Sequence, residues 1–141
     1  MSNLKLPTLT FDSLDRLIVN RAGEPAYTSK TVAYATTVER CNIGDSDYFV
    51  VKHHGSSIGS VSRDEVMVTC AGWTSVTTLA RVQAVLLDNR TGVHACRRDW
   101  VAKFGTWQDG GEELVNMDTR AWYRFKVGEA NPLPTTPAYY Y

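Results

Sequence analysis

The side chains with the widest chemical repertoire in this sequence are its histidines and cysteines. His53, His54, Cys70, His94 and Cys96 are all able to ligate a transition metal. His94-Ala-Cys96 sets an imidazole and a thiol two residues apart, which on a strand puts both on one face. A structural zinc centre wants four donors in a tetrahedron, commonly with closely spaced cysteine pairs. Neither Cys-x-x-Cys nor His-x-x-x-His is present. The set that would serve is His54, Cys70, His94 and Cys96, if the strand carrying 94–96 lay beside the strand ending at Cys70. The competing reading needs no metal and no cofactor. It leaves His54 hydrogen-bonded at a turn and the two thiols in the core, where cysteine behaves as a small hydrophobe.

The parts of a nucleophilic triad also exist: Cys70 or Ser75, with His54 and Asp64. Ser75 sits near a helix start, where the dipole favours the ionised nucleophile. Helix capping is the simpler role for Thr74, Ser75, Thr77 and Thr78, and no convergent catalytic set emerges. The chain therefore reads as a non-enzyme. Arg81, Arg97 and Arg98, with Trp100 to stack bases, would make a nucleic-acid patch, which Arg90 and Lys103 could extend. Against it, fifteen basic and fifteen acidic residues give zero formal net charge. Neutrality excludes whole-molecule attraction to nucleic acid or an acidic membrane, and equally an acidic mimic of DNA. Surplus aromatics favour protein contact instead, whether with a host factor or a second copy. Four tryptophans are too many to bury in 141 residues. Trp107 and the terminal Tyr139-Tyr140-Tyr141 are the anchors this reading selects.

These residues need elements to hold them. A chain of 141 residues is the length of one domain and buries roughly 68–70% of its unfolded surface. Composition marks off a lead-in at 1–29, an α+β domain at 30–127 and an extended Pro/Tyr tail at 128–141. In the lead-in, Phe11, Leu14, Leu17 and Ile18 form one helical stripe, with Asp12 as cap and Asn20, Gly23 and Pro25 as terminators. Strands are expected over Thr31–Glu39, Tyr48–His54, Ile58–Ser62 and Val66–Cys70, with short turns that imply an antiparallel meander. The pattern then switches. Val76, Leu79, Val82, Val85 and Leu86 lie on one stripe of a helix over about 76–88, closed by Asn89 or Gly92. Two further strands follow at Val93–Trp100 and Trp122–Val127, separated by a glycine-marked loop at Gly105–Gly111. The sum is an α+β fold. A single antiparallel sheet of four to six strands carries one main helix, with a short N-terminal helix beside it.

Three cysteines at wide spacing are not a disulfide framework, so reduced thiols in a cytoplasm are expected. No apolar run approaches the ~20 residues that span a bilayer. Residues 1–10 lack the apolar core of a secretory signal, and no membrane association is expected.

The stretch Tyr48-Phe-Val-Val-Lys-His-His-Gly-Ser-Ser-Ile58, followed by Val66-Met-Val-Thr-Cys-Ala-Gly-Trp-Thr-Ser-Val-Thr-Thr78 and Leu79-Ala-Arg81, resembles an uncharacterised family of small tailed-bacteriophage proteins. In that family a strand ends in His-Gly, and a Gly-Trp or Gly-Tyr step leads through a Thr-rich turn to a helix with an early Arg. The matching positions are His54, Gly55, Gly72, Trp73, Thr77, Thr78 and Arg81. Asp99-Trp100-Val101 and Gly110-Gly111 look like the family's tryptophan strand and glycine turn. The resemblance spans roughly residues 30–115. It implies a phage origin and a setting in the host cytoplasm, and it supplies no catalytic residue.

Overall fold

The computed structural model describes residues 5–18, 29–43 and 46–140. The expected terminators Asn20, Gly23 and Pro25, and the Gly44-Asp45 turn, lie outside them. The β-branched and aromatic runs form five strands in sequence: β1 (Ser29–Ala33), β2 (Thr36–Ile43), β3 (Ser46–His53), β4 (Ser56–Val61) and β5 (Glu65–Val68). Each pairs antiparallel with the next. The sheet is completed by a distant segment, β9 (Ala121–Lys126), which pairs with β5 through Val66↔Phe125 and Val68↔Tyr123. Between β5 and β9 come the main helix α2 (Val76–Asp88) and a second, separate sheet of β6 (His94–Arg98), β7 (Val101–Gln108) and β8 (Gly111–Asn116).

The α+β class, the antiparallel main sheet and its single long helix are as the sequence predicts. Ser75 is the N-cap of α2, accepting a hydrogen bond from the Thr78 amide. Leu79, Val82, Val85 and Leu86 are buried against the sheet. Four such side chains contribute on the order of 6–12 kcal/mol before chain entropy is counted. Val76 does not join the stripe; as the first helical residue it overhangs the packed region and is exposed. The close approach of α2 depends on Gly59. A Cβ there would lie 3.3 Å from Val85 Cγ2 and 3.6 Å from Val51 Cβ.

The short helix α1 (Phe11–Leu17) is capped by Thr10 rather than by Asp12, which falls in its first turn. A helix of two turns is not stable alone, and three contacts dock it. Phe11 and Leu14 are buried, with the Phe11 ring 5.2 Å from Phe49 of β3. Arg40 of β2 bridges Asp15 of α1 and Asp47 of β3, each at 2.6 Å. At the far end of α2, Asp88 accepts from the Leu9 amide at 2.9 Å and Asn89 donates to the Leu9 carbonyl at 2.8 Å. The lead-in is thereby stitched to both layers.

Two further expectations change. Gly105 is not in a loop but in the middle of β7. Asp99-Trp100, read as strand, is the two-residue hairpin turn between β6 and β7. The segment after β9 is held at two places. Leu133 packs on the core, and β10 (Tyr139–Tyr140) pairs antiparallel with β9 through Tyr139↔Trp122 and Tyr140↔Ala121.

Candidate functional site

The second sheet gives its two faces different tasks. Ala95, Ala102, Phe104 and Thr106 face inward and are buried. Because strand side chains alternate, the outer face carries His94, Cys96 and Arg98 from β6, Lys103, Gly105 and Trp107 from β7, and Glu112 and Leu114 from β8. The register pairs His94 with Gly105 and Trp107 with Glu112. With no side chain at 105, the His94 imidazole lies across the middle strand. A Cβ at that position would fall 2.5 Å from Nε2. The ring stacks on Trp107, centroids 5.4 Å apart and planes 23° from parallel, and its Nε2 contacts Glu112 Oε2. Arg98 donates to the other carboxylate oxygen of Glu112 at 3.1 Å.

The donor atoms of His94, Cys96 and Glu112 all lie within 4.8 Å of one another. They form the one group of three metal-ligating side chains found among the described residues. The His94 and Glu112 side chains are 13% and 17% exposed, so the cluster is sheltered but not sealed from solvent. Burial raises the pKa of the Cys96 thiol, with Glu112 adding to the shift while Arg98 and Lys103 oppose it.

Of the four predicted metal ligands, the structure brings His94 and Cys96 together. His54 sits in the β3–β4 turn, and Cys70 is buried with Sγ 3.2 Å from Met117 Sδ. Desolvation pushes the Cys70 thiol up to about 12, which makes it chemically inert. Glu112 was not selected by sequence reading. The signal that finds it is the register of β8 across Gly105.

The triad parts are dispersed. His54 and Asp64 occupy turns at opposite ends of β4, and the Ser75 hydroxyl is committed to capping. Gly55-Ser-Ser-Ile-Gly59 has the residue spacing of a nucleophile elbow. Ser57, however, lies in β4 paired with Lys52, in a strand-to-strand hairpin instead of a strand-to-helix turn.

The arginines also separate. Arg81 is buried and donates to Thr36 Oγ1, Thr77 O and Tyr34 O at 2.6–2.9 Å. It braces the β1–β2 turn against the first turn of α2. Beside it, His53 is buried between Ala35 O and Thr77 Oγ1. Desolvation and the Arg81 charge lower the His53 pKa below the ordinary histidine range. Arg97 and Trp100 do meet: the guanidinium lies 4.7 Å over the indole, and it also donates to Thr74 O. This link draws the Trp100 turn to the segment carrying Trp73, at the start of α2. Trp73, Trp100 and Trp107 are 56%, 78% and 73% exposed, which leaves Trp122 as the single buried tryptophan. Trp107 lies on the second sheet and the β10 tyrosines on the first, while Tyr141 is outside the described residues.

No helix among the described residues is long and apolar enough to cross a membrane. No curated protein and no solved structure matches the chain. The family of phage proteins described as Kyanoviridae Gp96 protein matches residues 21–127, which include the Gly72–Arg81 step, the arginine brace and all three strands of the outer sheet. With well over half its length matched, the chain belongs to this Kyanoviridae Gp96 family.

Proposed function

We propose that this chain is a non-catalytic phage accessory protein that works by binding another protein in the host cytoplasm. The observation that carries the reading is the state of Trp100. It is exposed, and its φ of 68° puts a bulky side chain in the left-handed region. Its turn neighbour Asp99 has φ 51°. Two-residue hairpins of this geometry favour Asn-Gly or Asp-Gly, and a non-glycine residue held there costs about 1–3 kcal/mol. An indole displayed at such a cost contributes little to the fold and much to a contact, since buried Trp and Arg dominate interface energetics. Trp73, joined through Arg97, extends the surface and also lines a groove with Arg120 and Trp122.

A nucleic-acid role for the same patch is less well supported. Arg97 covers one face of the Trp100 ring, leaving one face for stacking, and Arg81 has its donors committed inside the fold. The test is capture from lysate of infected cells by the full chain and by a Trp73→Ser/Trp100→Gly variant. The expected result is a defined set of partners, or self-association in sedimentation, that the variant loses. Trp100→Gly relieves the turn strain while losing the Arg97 contact, so its unfolding midpoint should shift by less than about 1 kcal/mol equivalent. An unchanged capture profile in the variant, or binding only to oligonucleotide with steep salt dependence, would overturn the reading.

A further inference from the structure

We propose that His94, Cys96 and Glu112 form a zinc-binding site on the outer face of the three-stranded sheet, with a fourth coordination position open to solvent beside Trp107. The donors are an imidazole nitrogen, a thiol sulfur and a carboxylate oxygen, a mixed set that suits a borderline ion such as zinc over calcium or magnesium. In a tetrahedral site with bonds of ~2.0–2.3 Å, neighbouring donors stand roughly 3.4–3.7 Å apart. The three here all lie within 4.8 Å of one another, at most about an ångström wider than that spacing.

The surroundings are those of a built site. Gly105 leaves the imidazole its path across the strand, and any larger residue would displace it. Trp107 fixes the plane of the ring. Arg98 holds the outer oxygen of Glu112, the kind of supporting contact that orients a carboxylate ligand. Three protein donors with one side open is the pattern of a zinc that keeps an exchangeable position, whereas a purely structural zinc is enclosed by four. The ion would enter between His94 Nε2 and Glu112 Oε2, which touch each other without it. This site stands on different residues from the Trp73–Trp100 surface, and neither depends on the other.

The test is titration of the untagged full chain, kept reduced with a phosphine, using Co(II) and then Zn(II). The expected result is on the order of one ion per chain, with a thiolate-to-cobalt charge-transfer band that Zn(II) abolishes by displacement. Cys96→Ser removes the band. His94→Gln and Glu112→Gln each weaken zinc binding by more than about tenfold. Cys41→Ser changes nothing. Gly105→Ala, which fills the imidazole's path, also weakens binding. Circular dichroism establishes that each variant is folded; should Cys96→Ser not fold, Glu112→Gln decides, because it is nearly isosteric. Failure to bind Co(II) or Zn(II) stoichiometrically, or a band that survives Cys96→Ser, overturns the site.

Discussion

Among single residues, Arg81 and His53 show how the Gly72–Arg81 segment is used. An arginine in the second turn of a helix after a Thr-rich cap reads as an anion site, yet here it is swallowed by the fold. Its guanidinium donates to two carbonyls and a hydroxyl, tying the β1–β2 turn, where Thr36 Oγ1 also donates to Tyr34 O, to the first turn of α2. His53 is packed next to that positive charge, so protonating it is disfavoured in the folded state. The unfolded chain therefore takes up more protons below the ordinary histidine range, and stability falls with pH there. Urea unfolding between about pH 5 and pH 7 should show a midpoint that drops as the solution is acidified. In His53→Gln this part of the drop should be absent. An identical pH profile in the variant would mean that His53 is not the group responsible.

At the level of elements, helix and strand periods identify α2 and most of the main sheet, because Leu79, Val82, Val85 and Leu86 recur at helical spacing and β-branched residues crowd the strands. Ser75 as cap is equally legible. The outer sheet is less so, and the reasons are local. Gly105 looks like a loop residue, but its glycine serves a neighbour's ring. Trp100 has strand propensity and is spent on a turn. Glu112 joins the cluster only through pairing across a strand that the glycine disguises, so two of its three members, His94 and Cys96, are legible in the sequence. The contact between α2 and β4 offers a direct test of layer packing. Gly59→Val pushes a branched side chain into Val85 and Val51. Overpacking of this kind should cost about 1–3 kcal/mol, read as a lower denaturant midpoint with an unchanged slope. A neutral Gly59→Val would mean that α2 is not held as closely as described.

For the molecule as a whole, the segments before α1 and after β9 have structural tasks. The segment before α1 is clamped by Asp88 and Asn89, and the C-terminal segment returns to pair with β9. Asn131 makes this return, donating to Thr91 O and Lys126 O and accepting from the Lys126 amide. Truncation after Leu133 keeps Asn131 and removes β10, exposing the Ala121–Trp122 end of β9 as an open edge. The shortened chain should remain folded by circular dichroism and elute as larger, concentration-dependent species in size-exclusion chromatography. Monomeric elution at every concentration would show that β10 does not protect that edge. The order of pairing has a last consequence, for biosynthesis. β5 meets its partner β9 only after residues 69–120 have been made. As the chain leaves the ribosome, the edge of β5 with Val66 and Val68 lacks its β9 partner while those residues are made. Loop closure of that span slows completion of the sheet relative to a meander alone, so the nascent protein should pass through a window in which that edge is open to other partners before β9 reaches it.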